Sequence, residues 1–190
     1  MADELISRLR VPDEQELPED VQALFAASRA RPGFVPNVYR ALSLRPAVLR
    51  GFIALYEALM LDEGRLSKAE REMIAVAVSA QNHCHYCLVS HGAALRVRAK
   101  DAVLADTVAA NYRAADVSPR QQAMLDYAVK VTRASAEISE ADHALLREHG
   151  FDDEAIFEMT QIAAFFNYSN RAASAQGMRP NPEFYGMARG

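Results

Sequence analysis

Apolar residues recur along this chain at spacings of three and four positions, which is the period of an α-helix. Valine, isoleucine and threonine form no alternating run of strand length. In the segment that begins at Pro46, one helical face carries Leu49, Phe52, Tyr56 and Leu59. The pattern predicts an all-α fold, a bundle in which each helix buries an apolar stripe.

Capping and breaking residues indicate where these helices begin and end. Ser67 with Glu70, and Ser118 with Gln121, have the spacing of capping boxes, in which two side chains satisfy free N–H groups at a helix start. The predicted helices cover residues 18–31, 36–44, 46–61, 67 to the segment 81–83, 84–98, 101–112, 118–136, 139–150 and 152–176. Residues 1–17 are expected to form an N-terminal arm, and residues 178–190 an irregular tail that packs on a neighbouring subunit.

Composition restricts the class of protein. With 190 residues, of which 51% are apolar, residues 1–190 are expected to form a single domain with a substantial core. The net charge of −4, without a basic cluster, argues against nucleic acid as a partner. No apolar run approaches the ~20 residues that span a bilayer, and the first residues lack the apolar region of a secretory signal. We therefore expect a cytoplasmic protein without a membrane partner.

The two cysteines of the chain, Cys84 and Cys87, form a C-x-x-C, and His91 follows four residues later. On a helix that begins near Cys84, residues three and four apart are surface neighbours, so these three side chains share one face. Free N–H groups in the first turn stabilise a thiolate, and His91 is placed to accept the proton of Cys87. In the cytoplasm, where structural disulfides are rare, this pattern indicates a redox dithiol.

Glu72 lies 12 residues before Cys84, and in one continuous helix it would be ~18 Å away from it. The intervening Gln81-Asn82-His83 is polar and suited to a turn. A chain reversal there makes a helical hairpin and places Glu72 opposite His91. Glu72 could then orient the imidazole or take its proton.

Other uses of the cysteines remain open at this stage. Cys84, Cys87 and His91, with His83 or His85 as a fourth ligand, could hold zinc in a helical interaction module. The chain lacks the second C-x-x-C or H-x-x-x-H that would strengthen this interpretation. The two thiols could also pack simply as small apolar residues.

The spacing Glu72-x11-Cys84-x2-Cys87-x3-His91 resembles the signature of the alkylhydroperoxidase D-like branch of the carboxymuconolactone decarboxylase superfamily. The core resemblance covers roughly residues 45–130. Two C-terminal stretches resemble a peroxidase-related subgroup: Phe166-Asn167-x-x-Asn170-Arg171 and Pro182-Glu183-Phe184-Tyr185-Gly186. The resemblance implies an all-helical fold, a homo-oligomer (trimer or hexamer) and thiol-dependent reduction of small hydroperoxides in antioxidant defence.

By position, the resemblance implies that Cys87 is the peroxidatic cysteine and Cys84 the resolving one, with His91 as base and Glu72 as the distal member of a proton relay. It also implies an external dithiol or reductant protein, and no haem, flavin or metal cofactor. One position departs from the family pattern, because Tyr86 stands where a histidine precedes the second cysteine. We expect Tyr86 to serve packing rather than proton transfer.

Two further functions use the same residues differently. A thiol–disulfide oxidoreductase or redox sensor would cycle its dithiol without turning over peroxide, as the replacement by Tyr86 would favour. A non-redox member of the superfamily, such as a lactone decarboxylase, would keep inert cysteines; such relatives generally lack the C-x-x-C.

Overall fold

The computed structural model describes residues 5–30 and 32–189, and within these the chain is all-helical, without a strand. Residues 1–4 of the predicted arm, the predicted helix end at Arg31 and the last residue of the tail lie outside the described residues. The helices are α1 (Glu19–Ala30), α2 (Asn37–Leu42), α3 (Pro46–Met60), α4 (Lys68–Gln81), α5 (His85–Ala99), α6 (Ala102–Asn111), α7 (Pro119–Ala134), α8 (Glu140–Glu148), α9 (Asp153–Gln176) and α10 (Glu183–Gly186). Among the described helices, none is long and apolar enough to cross a bilayer.

The helix ends follow the predicted signals. Ser67 Oγ accepts a hydrogen bond from the Glu70 N–H at 3.2 Å, and the Glu70 carboxylate accepts one from the Ser67 N–H at 2.9 Å. The second capping box, at the start of α7, is formed in the same way. Gly177 follows α9 with a φ of +61°, the left-handed conformation that glycine adopts without steric cost. The helices that we predicted over 46–61 and 118–136 end one and two residues early.

Helix α4 is the centre of the bundle and packs against α5, α6, α7 and α9. Ten of its fourteen residues are buried, and three of these are charged: Glu70, Arg71 and Glu72. Arg71 Nε lies 2.6 Å from Glu158 Oε1 of α9, and Arg71 Nη1 donates to the Asp62 carbonyl at 2.8 Å. Since this charge is paired and hydrogen-bonded, it is tolerated in the core. The ion pair of Arg71 with Glu158 anchors α4 to α9 one residue before Glu72.

The C-terminal tail is more regular than we predicted, whereas its packing on a neighbouring subunit stays a prediction. Its described residues pack on their own chain and include the short helix α10. Arg179 N–H donates to the Ile6 carbonyl at 3.0 Å, so the tail also contacts the N-terminal arm. These partners are far apart in sequence, which is why local patterns did not reveal them.

Candidate functional site

The C-x-x-C lies at the turn of the predicted helical hairpin. Asn82 is the C-cap of α4, and His83 has a φ of +52°, a left-handed conformation that reverses the chain. Cys84 is the N-cap of α5, and its N–H donates back to the Ser79 carbonyl at 3.0 Å. Cys87 therefore stands in the first turn of α5, where N–H groups are not used by the helix itself.

The hairpin brings Glu72 and His91 together, as the turn at Asn82 predicted. Glu72 Oε2 lies 2.8 Å from His91 Nδ1, and both side chains are largely buried. A carboxylate only accepts, so Nδ1 carries a proton and Nε2 of the neutral ring is the basic nitrogen. The imidazole packs edge-on against Phe166 with ring centroids 4.6 Å apart, which fixes its orientation.

A cavity of about 230 Å³ gives access to one of the two sulfurs. Cys87 and His91 line it together with Ser169 of α9, and its remaining wall is mainly aromatic. Cys84 is outside the lining, although both cysteines belong to the same apolar cluster, which also includes residues of α1 and α2. Both cysteines are reduced and only 1% exposed, so a reactant must enter the cavity and meets Cys87 first.

The two thiols differ in acidity. A hydrogen bond from Cys87 is the main reason that the pKa of Cys84 is lowered to about 6, and the charge of His91 also contributes. The pKa of Cys87 is raised well above its ordinary value because it donates to Cys84 and is buried. The pair titrates as a unit that holds one shared proton and one negative charge near neutral pH. Access thus favours Cys87 as the reacting sulfur, whereas acidity places the resting charge on Cys84.

We expect this dithiol to lose its first proton at about pH 6. Because the thiolate is present above that pH and protonated below it, alkylation should slow as pH falls through 6. Cys87→Ala removes the largest cause of the lowered pKa, and the Cys84 midpoint should rise toward about 8.5. The pH dependence of the thiolate's ultraviolet absorbance measures both values. A midpoint that stays near 6 in the variant would contradict the role of the thiol–thiol hydrogen bond.

Two residues of α9 beside the sulfurs received no role from the sequence. Ser169 Oγ lies 3.9 Å from Cys87 Sγ. Asn170 is fully buried, donates to Ser79 Oγ at 3.0 Å and accepts from Asn82 Nδ2 at 2.9 Å. Hydrogen bonds from both residues counteract the rise in the pKa of Cys87. Through its bonds to Ser79 and Asn82, Asn170 holds the hairpin turn against α9. In the sequence, the only indication of a role was that Asn170 belongs to the C-terminal stretch that resembles the peroxidase-related subgroup.

Comparison with known proteins places this arrangement in a family. The model of the carboxymuconolactone decarboxylase family matches residues 46–130. An uncharacterized peroxidase-related protein with an alkylhydroperoxidase AhpD core, from Ralstonia eutropha, is 51% identical, with a TM-score of 0.96 over 98% of each chain. The chain belongs to the alkylhydroperoxidase D-like branch of the carboxymuconolactone decarboxylase family.

Other solved structures extend this comparison. An uncharacterized peroxidase-related protein from Silicibacter sp. is 46% identical to this alkylhydroperoxidase D-like chain, with a TM-score of 0.94 over 100% of this chain and 99% of the other. A protein of unknown function from Agrobacterium tumefaciens, assigned to antioxidant defence, is 21% identical and shares the fold, with a TM-score of 0.64 over 74% of this chain and 95% of its own. No curated protein matches the sequence.

Tyr86 occupies the position for which the sequence resemblance predicts a histidine. Its hydroxyl accepts a hydrogen bond from the Val38 N–H at 3.1 Å, which ties α2 to the start of α5. Burial raises the pKa of this phenol, so the group stays protonated. The contacts fit the packing role that we expected for Tyr86.

The zinc alternative requires ligands that the hairpin does not assemble. Within residues 5–30 and 32–189, no three His, Cys, Asp or Glu side chains form a group that could hold a metal ion. His83 is exposed in the turn, and His85 Nε2 lies 3.1 Å from the Tyr185 hydroxyl of the tail. The nitrogen His91 Nδ1 is engaged by Glu72.

Proposed function

We propose that this protein reduces organic hydroperoxides through a dithiol–disulfide cycle of Cys87 and Cys84. The observation that carries the proposal is the arrangement at the cavity: the Cys87 sulfur and the His91 imidazole line it together, Glu72 holds the imidazole through Nδ1, and the Cys84 thiol outside the lining interacts with Cys87. The peroxidase-related relatives support the same class of reaction.

The cycle begins with removal of the shared proton by His91, which leaves Cys87 as the thiolate. The sulfur attacks the terminal oxygen of the hydroperoxide: an S–O bond forms, the O–O bond breaks, and the leaving alkoxide takes the proton from His91 to become an alcohol. Cys87 is now a sulfenic acid. Glu72 stabilises the imidazolium that exists between these two proton transfers.

Cys84 closes the cycle. Its thiolate attacks the sulfenic sulfur, the S–S bond forms as the S–O bond breaks, and the leaving hydroxide takes a proton from the solvent to become water. An external dithiol, either a small molecule or a reductant protein, then restores both thiols by exchange and becomes a disulfide itself. Haem, flavin and metal have no part in this cycle. We further propose that the protein works in the cytoplasm as a homo-oligomer, a trimer or hexamer.

Mass spectrometry of the peptide that contains residues 84–87 tests the cycle directly. After one equivalent of tert-butyl hydroperoxide, we expect the peptide to lose both thiol hydrogens, and dithiothreitol should restore them. The same dithiol should sustain continuous consumption of peroxide. An unchanged peptide mass, with the peroxide left intact, would contradict the proposed function.

A thiol–disulfide oxidoreductase or redox sensor is the second candidate. The observation in its favour is Tyr86, which stands in place of the family histidine and whose hydroxyl is engaged with Val38 N–H. The proton relay at Cys87 then contains a single imidazole. Rapid exchange with a disulfide substrate, without consumption of hydroperoxide, would favour this function over the first.

A further inference from the structure

The cavity above Cys87 is closed in part by the C-terminal tail. Phe184 of α10 lines it, and Pro32 and Pro36 line it from the N-terminal part of the chain. The ring of Phe184 packs edge-on against Phe34, with centroids 5.0 Å apart. Residues 181–187, hereafter the strap, therefore contribute a wall to the site.

Two buried side chains clamp the strap to its own subunit. Arg96 of α5, which is 4% exposed, donates to the carbonyls of Phe184 and Met187, each at 2.8 Å. At the other end, Asn181 accepts from the Asn37 N–H at 2.7 Å and donates to the Val35 carbonyl at 3.0 Å. Asn181 lies just before α10, and Arg96 binds one carbonyl within this helix and one just after it, so the backbone that carries Phe184 is held in place by the fold.

The aromatic side chains that line the cavity differ in how deeply they are packed in the fold. Phe165 and Phe166 belong to the 24-residue helix α9 and pack in the main core. Phe184, in contrast, is half-buried, belongs to a helix of four residues and lies outside both apolar clusters. A change in the size of this side chain therefore alters the space above Cys87 without removing a core residue.

We propose that Phe184 determines which hydroperoxides reach Cys87, by limiting the size of the organic group that fits beneath the strap. This inference rests on the proposed function. Because Cys87 is 1% exposed, the organic group must occupy the cavity while the sulfur attacks the peroxide oxygen. The apolar ring favours compact alkyl groups, and wider or longer groups meet it sterically.

Substrate preference gives the first test. In Phe184→Ala, we expect kcat/KM for cumene hydroperoxide, divided by that for tert-butyl hydroperoxide, to rise by about tenfold, the scale at which a pocket discriminates apolar groups. Phe184→Leu should give an intermediate ratio. The matched control is Tyr185→Ala, since the neighbouring ring is 49% exposed and is not part of the cavity wall. A ratio that is the same in Phe184→Ala and in Tyr185→Ala would overturn the proposal.

Labelling of Cys87 gives a second test that needs no peroxide turnover. In a Cys84→Ser background, Cys87 is the single thiol, and its rate of reaction is compared for iodoacetamide and the bulkier N-phenylmaleimide. The ratio of the two rates cancels the thiolate fraction and reports access alone. It should shift toward the bulky reagent in Phe184→Ala and stay constant in Tyr185→Ala. If the protein with both cysteines consumed no peroxide while the labelling ratio still shifted, the proposed function would be lost and the role of Phe184 in access to Cys87 retained. A constant labelling ratio overturns that role.

Discussion

Cys87→Ser is expected to lower dithiol-dependent consumption of tert-butyl hydroperoxide by at least about a thousandfold, as is usual when a nucleophile is removed. Cys87 is the sulfur that lines the cavity, and Cys84 is buried outside the lining. A serine hydroxyl of the same size stays protonated near neutral pH and does not attack the peroxide bond. The loss of peroxide with time, at saturating dithiothreitol, measures the effect.

Cys84→Ser is the matched control, because it removes a sulfur of the same pair and leaves the cavity wall intact. Without dithiothreitol, it should still reduce one equivalent of peroxide and stop as a sulfenic acid on Cys87, which a dimedone adduct detects. The lowered pKa of Cys84 makes the opposite assignment a real competitor. If Cys87→Ser performed a single turnover and Cys84→Ser did not, the roles of the two sulfurs would have to be exchanged.

The sequence revealed the parts of this site that depend on local structure. Capping at Ser67 and the turn at Asn82 follow from short motifs, and with those in place the contact of Glu72 with His91 follows from helix geometry. The 2.8 Å separation confirms that step. The catalytic roles of these side chains stay predictions until the variants are measured.

Other parts of the site depend on residues that are remote in the chain. The acidity of each sulfur depends on Ser169, Asn170 and Ser174 of α9, which meet the hairpin only after the bundle has folded. The strap depends on the pairing of Asn37 with Asn181, 144 residues apart. Helical periodicity carries no information about either contact. For this reason we predicted an irregular tail and did not predict that Phe184 of the tail lines the cavity.

The second large effect is expected at the His91–Glu72 pair. His91→Gln should slow peroxide consumption by about a hundred- to ten-thousandfold, the usual contribution of a general acid–base.

Glu72→Gln should also slow peroxide consumption, because it changes which nitrogen of His91 carries the proton. A glutamine amide can donate to Nδ1, which then accepts, and the proton moves to Nε2. The imidazole would face the cavity as a donor and would no longer remove the shared proton of the dithiol. His143→Gln, at a histidine beside Tyr127 on another cavity, is the control and should leave the rate unchanged.

The double variant distinguishes a relay from two independent contributions. If Glu72 acts only through the imidazole, then His91→Gln already removes its effect, and adding Glu72→Gln should slow the reaction no further. Losses that multiply in the double variant would mean that Glu72 acts on the sulfurs or the substrate by another path. The pair's buried position makes a check of folding necessary, and the midpoint of urea unfolding for each variant provides it. A rate loss without a comparable shift in that midpoint assigns the effect to proton transfer rather than to collapse of the hairpin.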